Sequence, residues 1–154
     1  MNKGFMVVFD GSNGAGKTTV IKGVEKYLAS KGFDVLLTRE PGGTPIGEKI
    51  RDVILDPSTP EMSFMTELML FGAGRAQHIK EKIIPALAKG KIVISDRFDA
   101  ATFSFQHYAR GIDLDTIIKI NDLALAGFSP EMNIVLDLDP NEGLKRVHSR
   151  GEGL

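Results

Sequence analysis

Gly11-Ser12-Asn13-Gly14-Ala15-Gly16-Lys17-Thr18 is the stretch that decides the fold of this chain, and it fits the pattern G-x-x-x-x-G-K-[ST]. Its three glycines tolerate backbone angles that other residues avoid, and they leave space for phosphate oxygens beside main-chain N–H groups. Lys17 adds a mobile positive charge, and the Thr18 hydroxyl is a suitable Mg²⁺ ligand. The stretch therefore predicts a loop that binds phosphate groups.

The residues on either side of this loop test the prediction. Phe5-Met6-Val7-Val8-Phe9 is a short apolar run before the loop, as expected of a buried strand. After the loop, apolar residues recur at helical spacing at positions 20, 21, 24, 27 and 28. A glycine-rich turn that matched the pattern by chance would not need a strand before it and a helix after it. A helix N-terminus that faces the loop also favours anions there. The flanking sequence therefore favours a strand–loop–helix unit that binds nucleotide phosphates.

Composition limits the class of protein. The 154 residues suffice for one domain with its own core, and the formal net charge of −1 shows no basic excess that would indicate nucleic acid or a membrane surface. The absence of cysteine excludes disulfides and thiolate metal sites. No apolar run is long enough to span a bilayer, and the first residues do not resemble a signal peptide. We therefore expect a cytoplasmic protein.

Further strands alternate with helices along the chain. The sequence predicts strands at 34–38, 91–95 and 133–139, each an apolar run between turn residues. Helices are predicted from the loop to about residue 30, from Pro45 to a turn at 56–60, over 61–87 with a kink near Gly72 and Gly74, over 100–109 and 114–126, and from Pro140 onward. This alternation predicts a single α/β domain over 1–154, with a parallel sheet, helices on both faces, and ligands beyond the carboxyl ends of the strands.

Asp96-Arg97 ends the third predicted strand, at the same edge of the sheet as the phosphate loop. An aspartate there can order Mg²⁺ or its water shell, and the arginine can hold phosphate oxygens with two hydrogen bonds. In isolation, an Asp-Arg pair at a strand end is more often a surface ion pair. Because the phosphate loop lies upstream, we favour the functional interpretation.

Phe71 and Arg75 are four residues apart and so share one face of a helix. A ring beside a guanidinium can stack on a nucleobase and bond its edge. Spacing alone nevertheless favours a core phenylalanine and an arginine whose stem lies along apolar surface. Thr102 and Gln106 have the same spacing and could contact a base edge, although a solvated helix face is the more frequent explanation.

Other residues carry weaker signals. Arg51 flanks the apolar stripe of its helix, where an arginine is most often solvated. The histidines at positions 78, 107 and 148 lack metal-site spacing, which favours surface or packing roles. The methionines at 62, 65 and 69, with Phe64, favour core packing or a subunit contact over a cofactor site.

Taken together, these segments resemble thymidylate kinases, which are nucleoside-monophosphate kinases of the P-loop NTPase fold. The matching segments are 11–19, 38–44, 67–75, 84–87, 95–98 and 136–140, and Arg-Glu-Pro-Gly-Gly-Thr at 39–44 is nearly diagnostic of bacterial-type members. The resemblance implies a reversible reaction in which ATP, with Mg²⁺, phosphorylates dTMP to dTDP. It also implies a homodimer.

The resemblance further implies a role for each matching position. The phosphates of ATP are held by the loop residues Gly11, Ser12, Asn13, Gly14, Ala15, Gly16, Lys17, Thr18 and Thr19. Thr18 and Asp96 lie at Mg²⁺. Catalytic roles fall to Lys17, Arg39, Glu40 and Arg97, and Arg51 joins the last three around the acceptor phosphate. Phe71 stacks on thymine and Arg75 bonds its edge, which reverses the interpretation from spacing. The substrate pocket is completed by Thr102, Phe105 and Gln106.

Several positions depart from the family pattern. Asp10 stands where relatives usually have glutamate, Asn13 where they have an acidic residue, and Phe105 where they have a tyrosine that contacts the sugar. The differences at 13 and 105 bear on sugar recognition more than on phosphate transfer.

The end of the chain carries a further expectation. The loop has no arginine among its variable positions, which in the family accompanies catalytic arginines in a lid, and Arg150-Gly151-Glu152 resembles the start of that lid. Arg150 would then contact ATP. From the resemblance we expect a domain truncated at the lid, without the last strand and helix, so that a chain ending at Leu154 binds nucleotide weakly, turns over slowly and tends to aggregate.

Two alternatives to a dTMP kinase stay open. One is a kinase for another nucleoside monophosphate. The other is a non-catalytic P-loop module that binds ATP for regulation, which would hydrolyse ATP slowly and respond to no monophosphate.

Overall fold

A sheet of four parallel strands forms the centre of the computed structural model, which describes residues 3–151. The strands are β1 (Phe5–Gly11), β2 (Val35–Arg39), β3 (Ile92–Asp96) and β4 (Met132–Leu136), in the order β2-β3-β1-β4. Parallel pairing throughout, with helices between successive strands, confirms the predicted α/β fold. Glu152, which the sequence assigns to the start of a lid, lies outside the described residues.

The helices within this range follow the predicted order. They are α1 (Lys17–Ser30), α2 (Pro45–Leu55), α3 (Phe64–His78), α4 (Ile84–Ala88), α5 (Asp99–Thr102), α6 (Leu114–Leu125) and α7 (Pro140–Ser149). Two π-helical segments, Ile79–Ile83 and Phe103–Ala109, continue α3 and α5. Thr44 caps α2, because its hydroxyl oxygen accepts from the N–H of Gly47 at 2.9 Å, which confirms the predicted start at Pro45.

The predicted kink in the third helical region is wrong. α3 is continuous through Gly72 and Gly74, where a Cβ at Gly72 would lie 3.3 Å from a methyl group of Ile120 on α6. The small residue therefore allows close packing of helices. The hydrogen-bond pattern changes only at Ile79–Ile83, just before Pro85, whose nitrogen cannot donate to the preceding turn.

The fourth strand is shorter than predicted. β4 ends at Leu136, whereas the apolar pattern extends it to residue 139. The carboxylate of Asp139 instead accepts from the N–H of Asn141 at 2.8 Å and caps α7, so the last residues of the predicted strand form the turn into that helix.

The core has two parts because successive residues of a strand point to opposite faces of the sheet. One part contains Met6, Val8, Val93, Ile79, Ile83, Ala86 and Phe98. The other contains Val7, Phe9, Ile94 and Ile21. Helices therefore cover both faces, as predicted. Among residues 3–151, no helix combines the length and the apolar composition that a membrane crossing requires.

Strand register places the carboxyl ends of the central strands at one level. Phe9 of β1 and Arg39 of β2 both pair with Asp96 of β3. The segments that follow each strand therefore begin side by side, and they carry the polar residues singled out in the sequence.

Candidate active site

The phosphate loop lies between the end of β1 and the start of α1. Gly14 and Gly16 have φ angles of 82° and 92°, a region that favours glycine. Gly16 is also the N-cap of α1, so no side chain caps this helix, and its first turn contains no acidic residue. The N–H groups at the start of α1 are thus available to an anion.

Lys17 occupies the mouth of this loop. Its Nζ donates to the carbonyl oxygen of Gly11 at 3.1 Å. Burial lowers the pKa of Lys17 and the positive charge of Arg97 lowers it further, whereas Asp96 and Asp10 act in the opposite direction. A cation held in a partly buried site next to another cation is better stabilised when anionic phosphate oxygens are present.

The loop also rests directly on α7. A Cβ at Gly14 would lie 2.5 Å from the carbonyl oxygen of Gly143, and one at Gly143 would lie 2.9 Å from the carbonyl oxygen of Asn13. Arg146 of α7 donates to the carbonyl oxygen of Gly14 at 3.3 Å. Sequence reasoning missed Gly143 and Arg146, because nothing local shows which distant helix contacts the loop.

Arg97 points from the end of β3 back to the phosphate loop. Its Nη2 donates to Oδ1 of Asn13 at 2.8 Å, and its main-chain N–H donates to the carbonyl oxygen of Phe9 at 2.8 Å. Its φ is 65°, in the left-handed region, which costs about 1–3 kcal/mol for a residue other than glycine. Strain of this size at the junction of strand and loop fits a residue whose direction serves a function.

The loop after β2 gathers further cations. Arg51 Nη1 donates to the carbonyl oxygen of Pro41 at 2.8 Å, and Arg39 Nη2 donates to Glu48 at 3.0 Å. Burial lowers the pKa of Arg51, and the like charges of Arg39 and Arg97 also lower it. Three arginines that repel one another around one space favour an anionic ligand there.

Glu48 holds this loop in shape. One of its carboxylate oxygens accepts from the N–H of Gly43 at 2.9 Å and the other from Arg39. The hydrogen bond from Gly43 lowers the pKa of Glu48, and the bond from Arg39 contributes in the same direction.

Arg75 belongs to a buried network and does not lie along the surface, so the interpretation favoured by spacing alone is wrong. Only 2% of Arg75 is exposed. Its Nε donates to Glu40 Oε1 at 2.8 Å and its Nη1 to Asn121 Oδ1 at 2.8 Å. Its Nη2 donates to the carbonyl oxygen of Phe98 and to Thr102 Oγ1, each at 2.9 Å. These bonds use four of the five guanidinium N–H groups.

Glu40 and His78 complete this network. Nδ1 of His78 lies 2.7 Å from Glu40 Oε2, and its Nε2 lies 2.6 Å from Thr38 Oγ1. His78 is fully buried, which confirms a packing role but adds specific hydrogen bonds that the sequence did not indicate. Its position three residues after Arg75, on the same helix face, was the available signal. Glu40 is 7% exposed and accepts from Arg75 through one carboxylate oxygen, while the other faces His78, so it holds Arg75 in place where both residues line the cleft.

Thr102 and Gln106 are buried, at 5% and 0% exposure, so the solvated helix face that spacing favoured is wrong. Gln106 Nε2 donates to Glu67 Oε1 at 2.9 Å. Its Oε1 is buried and has no hydrogen-bond partner within the described part of the chain. Most buried polar atoms are paired, so an unpaired acceptor beside a cleft indicates a ligand donor.

Arg110 and Glu67 are site residues that sequence reasoning missed. The guanidinium carbon of Arg110 lies 4.7 Å from the ring centroids of both Phe64 and Phe105. Its Nη2 donates to Glu67 Oε2 in a long hydrogen bond of 3.5 Å, and its Nε lies 3.4 Å from Glu67 Oε1, an ion-pair distance without hydrogen-bond alignment. These pairings join α3 to the segment after α5, about 40 positions away in sequence, so no local sequence pattern indicates them.

One cleft of about 1430 Å³ brings the site residues together. The phosphate loop and Thr19 line it, along with every other position singled out as a candidate: Arg39, Glu40, Arg51, Phe71, Arg75, Asp96, Arg97, Thr102, Phe105, Gln106 and Arg150. The phosphate loop and the three arginines lie with Phe71, Arg75 and Gln106 along the same cleft. Its contents suit a ligand with both phosphate groups and a planar ring.

The donor atoms suit a magnesium ion shared with a ligand. Thr18 and Asp96 offer a hydroxyl and a carboxylate at the same cleft, and Mg²⁺ prefers oxygen ligands completed by water and phosphate. Within residues 3–151, no cluster of three or more His, Cys, Asp or Glu side chains could hold a metal without such help.

Comparison with known proteins identifies the family. The Thymidylate kinase family model matches residues 9–153. The thymidylate kinase of Geobacillus sp. (strain WCH70) is 51% identical over 145 residues, which cover 94% of this chain and 69% of that protein. The thymidylate kinase of Clostridium novyi (strain NT) is 45% identical over 152 residues, covering 99% and 74%.

A solved structure agrees with these sequence matches. The crystal structure of thymidylate kinase from Ehrlichia chaffeensis superposes with a TM-score of 0.81 at 35% identity, covering 96% of this chain and 83% of that one. The family-model match, the identities to these relatives and the shared fold agree, and the chain belongs to the thymidylate kinase family.

Proposed function

We propose that this protein transfers the γ-phosphoryl group of ATP to dTMP, giving ADP and dTDP. The observation that carries the substrate assignment is the hydrogen-bonding pattern beside Phe71. Arg75 has one N–H left after its bonds within the described chain, and Gln106 Oε1 is an acceptor without a partner. Thymine presents the complementary edge, an acceptor at O4 and a donor at N3, whereas cytosine presents the reverse.

The residues around the phosphates would act by alignment and charge. The phosphate of a nucleoside monophosphate is already an anionic nucleophile, so no strong base is needed. The phosphate loop and Lys17 bind the donor phosphates, and Arg39, Arg51 and Arg97 hold the acceptor phosphate. Their positive charges offset the repulsion between two anions and the charge on the group in transfer.

Mg²⁺ is part of this proposal. Thr18 and Asp96 would hold it, and a bound Mg²⁺ neutralises charge on the phosphate oxygens of ATP. Arg150, which lines the same cleft, is proposed to contact ATP.

A panel of monophosphates tests the substrate assignment. ADP release from the purified protein is measured with ATP and dTMP, dUMP, dCMP or dGMP. We expect dTMP to be used best, followed by dUMP, which lacks one methyl group worth about 0.8 kcal/mol when buried, and we expect dCMP and dGMP to be poor. Similar rates with all four would favour a broader kinase, and ATP hydrolysis that responds to none would favour a regulatory module.

The remaining expectations stay predictions: a homodimer, a cytoplasmic location and no nucleic-acid or membrane partner.

The sequence left core packing and a subunit contact open for the methionine cluster. Met69 on α3 is 56% exposed and Phe64 is 47% exposed, so core packing is wrong for these two residues. Leu123 on the neighbouring α6 is 81% exposed. Exposed apolar residues on adjacent helices fit the proposed contact between two copies of the chain.

A further inference from the structure

We propose that Glu67 determines base specificity by fixing the orientation of the Gln106 side-chain amide. This inference rests on the proposed function of the cleft. A glutamine can present either its oxygen or its NH₂ group to a ligand, because rotation by half a turn exchanges them. A residue that reads a base edge with an amide therefore needs a second residue that selects one orientation.

Glu67 makes this selection through charge. Gln106 Nε2 donates to Glu67 Oε1 at 2.9 Å. An ionised carboxylate accepts hydrogen bonds and cannot donate one, so it favours the NH₂ group of the amide over the oxygen. Oε1 of Gln106 is then directed away from Glu67, and it is the atom left without a partner in the described chain.

The carboxylate of Glu67 is itself held in place. Only 13% of its side chain is exposed, and Arg110 lies 3.4 Å away. The rings of Phe64 and Phe105 both lie 4.7 Å from the guanidinium carbon of Arg110, and these contacts restrict the guanidinium. Glu67 thus keeps a nearby positive charge and a fixed position.

The position of Gln106 connects this arrangement to Arg75. Thr102 accepts a hydrogen bond from Arg75 at 2.9 Å, and Gln106 follows Thr102 by four residues on the helical segment that continues α5. Arg75 and Gln106 both line the cleft, so the acceptor of Gln106 and the remaining N–H of Arg75 are available to the same base. With Oε1 fixed, the pair accepts a pyrimidine with N3–H and O4, and opposes cytosine, whose N3 is an acceptor.

The test is the isosteric substitution Glu67→Gln. A neutral amide at position 67 can accept or donate, so Gln106 is no longer restricted to one orientation. We expect the ratio of kcat/KM for dTMP to that for dCMP to fall by at least about tenfold, since an unmatched buried hydrogen bond is penalised by this order. The KM for ATP should change little.

Glu81→Gln is the matched control. Gln77 Nε2 donates to Glu81 at 2.7 Å in an exposed pair that does not line the cleft. The same chemical change there should leave the dTMP:dCMP ratio unaltered. Thermal unfolding of each variant separates a change in stability from a change in selectivity, because a merely structural role of Glu67 would affect both substrates equally.

A double variant provides an independent test. In Glu67→Gln with Gln106→Glu, residue 67 can donate and residue 106 can only accept, so an acceptor again faces the base. We expect preference for dTMP over dCMP to return relative to Glu67→Gln. An unchanged ratio in folded Glu67→Gln, or equal use of dTMP and dCMP by the double variant, would overturn the inference. A parent protein that does not prefer dTMP to dCMP would instead refute the proposed function.

Discussion

The Lys17→Ala protein is expected to fold like the parent and to lose at least about 100-fold in kcat, the loss typical of removing one preorganised group that stabilises the transition state. Lys17 belongs to the phosphate loop, its Nζ donates to the carbonyl oxygen of Gly11, and the charge of Arg97 is close enough to affect it. Burial and the charge of Arg97 lower its pKa, so the folded apo protein does not depend on this cation for stability.

Steady-state ADP release with saturating dTMP measures this effect, and thermal unfolding checks the fold. Lys26→Ala, an exposed position on the same helix, is the control and should keep its activity. Turnover close to that of the parent in Lys17→Ala would contradict the assignment of the phosphate loop.

Arg75→Ala is expected to lower the free energy of unfolding by about 3–5 kcal/mol, the cost of leaving a buried charge without its partner. Sequence and resemblance together predict a narrower effect, a loss of dTMP use with ATP binding unchanged. The structure changes that expectation, because Arg75 pairs with Glu40 at 2.8 Å and both side chains are almost fully buried. Removing the guanidinium also frees Asn121, Thr102 and the carbonyl of Phe98.

Urea unfolding measures this prediction, and a second variant identifies its cause. Removing both charges, with Glu40→Gln and Arg75→Met, should recover part of the lost stability, since a neutral amide can still bond to His78. An unfolding free energy for Arg75→Ala within about 0.5 kcal/mol of the parent, as for surface substitutions, would show that the network is not structural.

The parts of the fold that sequence predicted well are those with local causes. The phosphate loop follows from glycines and a lysine within eight positions, and the start of α2 follows from Thr44 and Pro45 in succession. Each is determined by backbone preferences that act over one turn. The predicted kink was wrong because glycine has two effects: it weakens a helix, and it lets a neighbouring helix approach. Only the position of α6 shows that the second effect applies at Gly72.

The parts that sequence did not predict depend on distant partners. Thr102 and Gln106 look like a polar helix face until Arg75 and Glu67, 27 and 39 positions away, are placed against them. The sequence indicates only a surface or packing role for His78, because its bonds to Glu40 and Thr38 span 38 and 40 positions. Such polar pairs leave no periodic pattern, because their partners come from other elements.

A crystal structure of the protein with dTMP will show whether one cleft both binds the base and transfers the phosphoryl group. We expect the ring of the base to lie on Phe71, with N3–H donating to Gln106 Oε1 and O4 accepting from Arg75. We expect the 5′-phosphate among Arg39, Arg51 and Arg97. A base bound elsewhere, or a dTMP phosphate seated in the loop at Gly11–Thr18, would contradict this expectation.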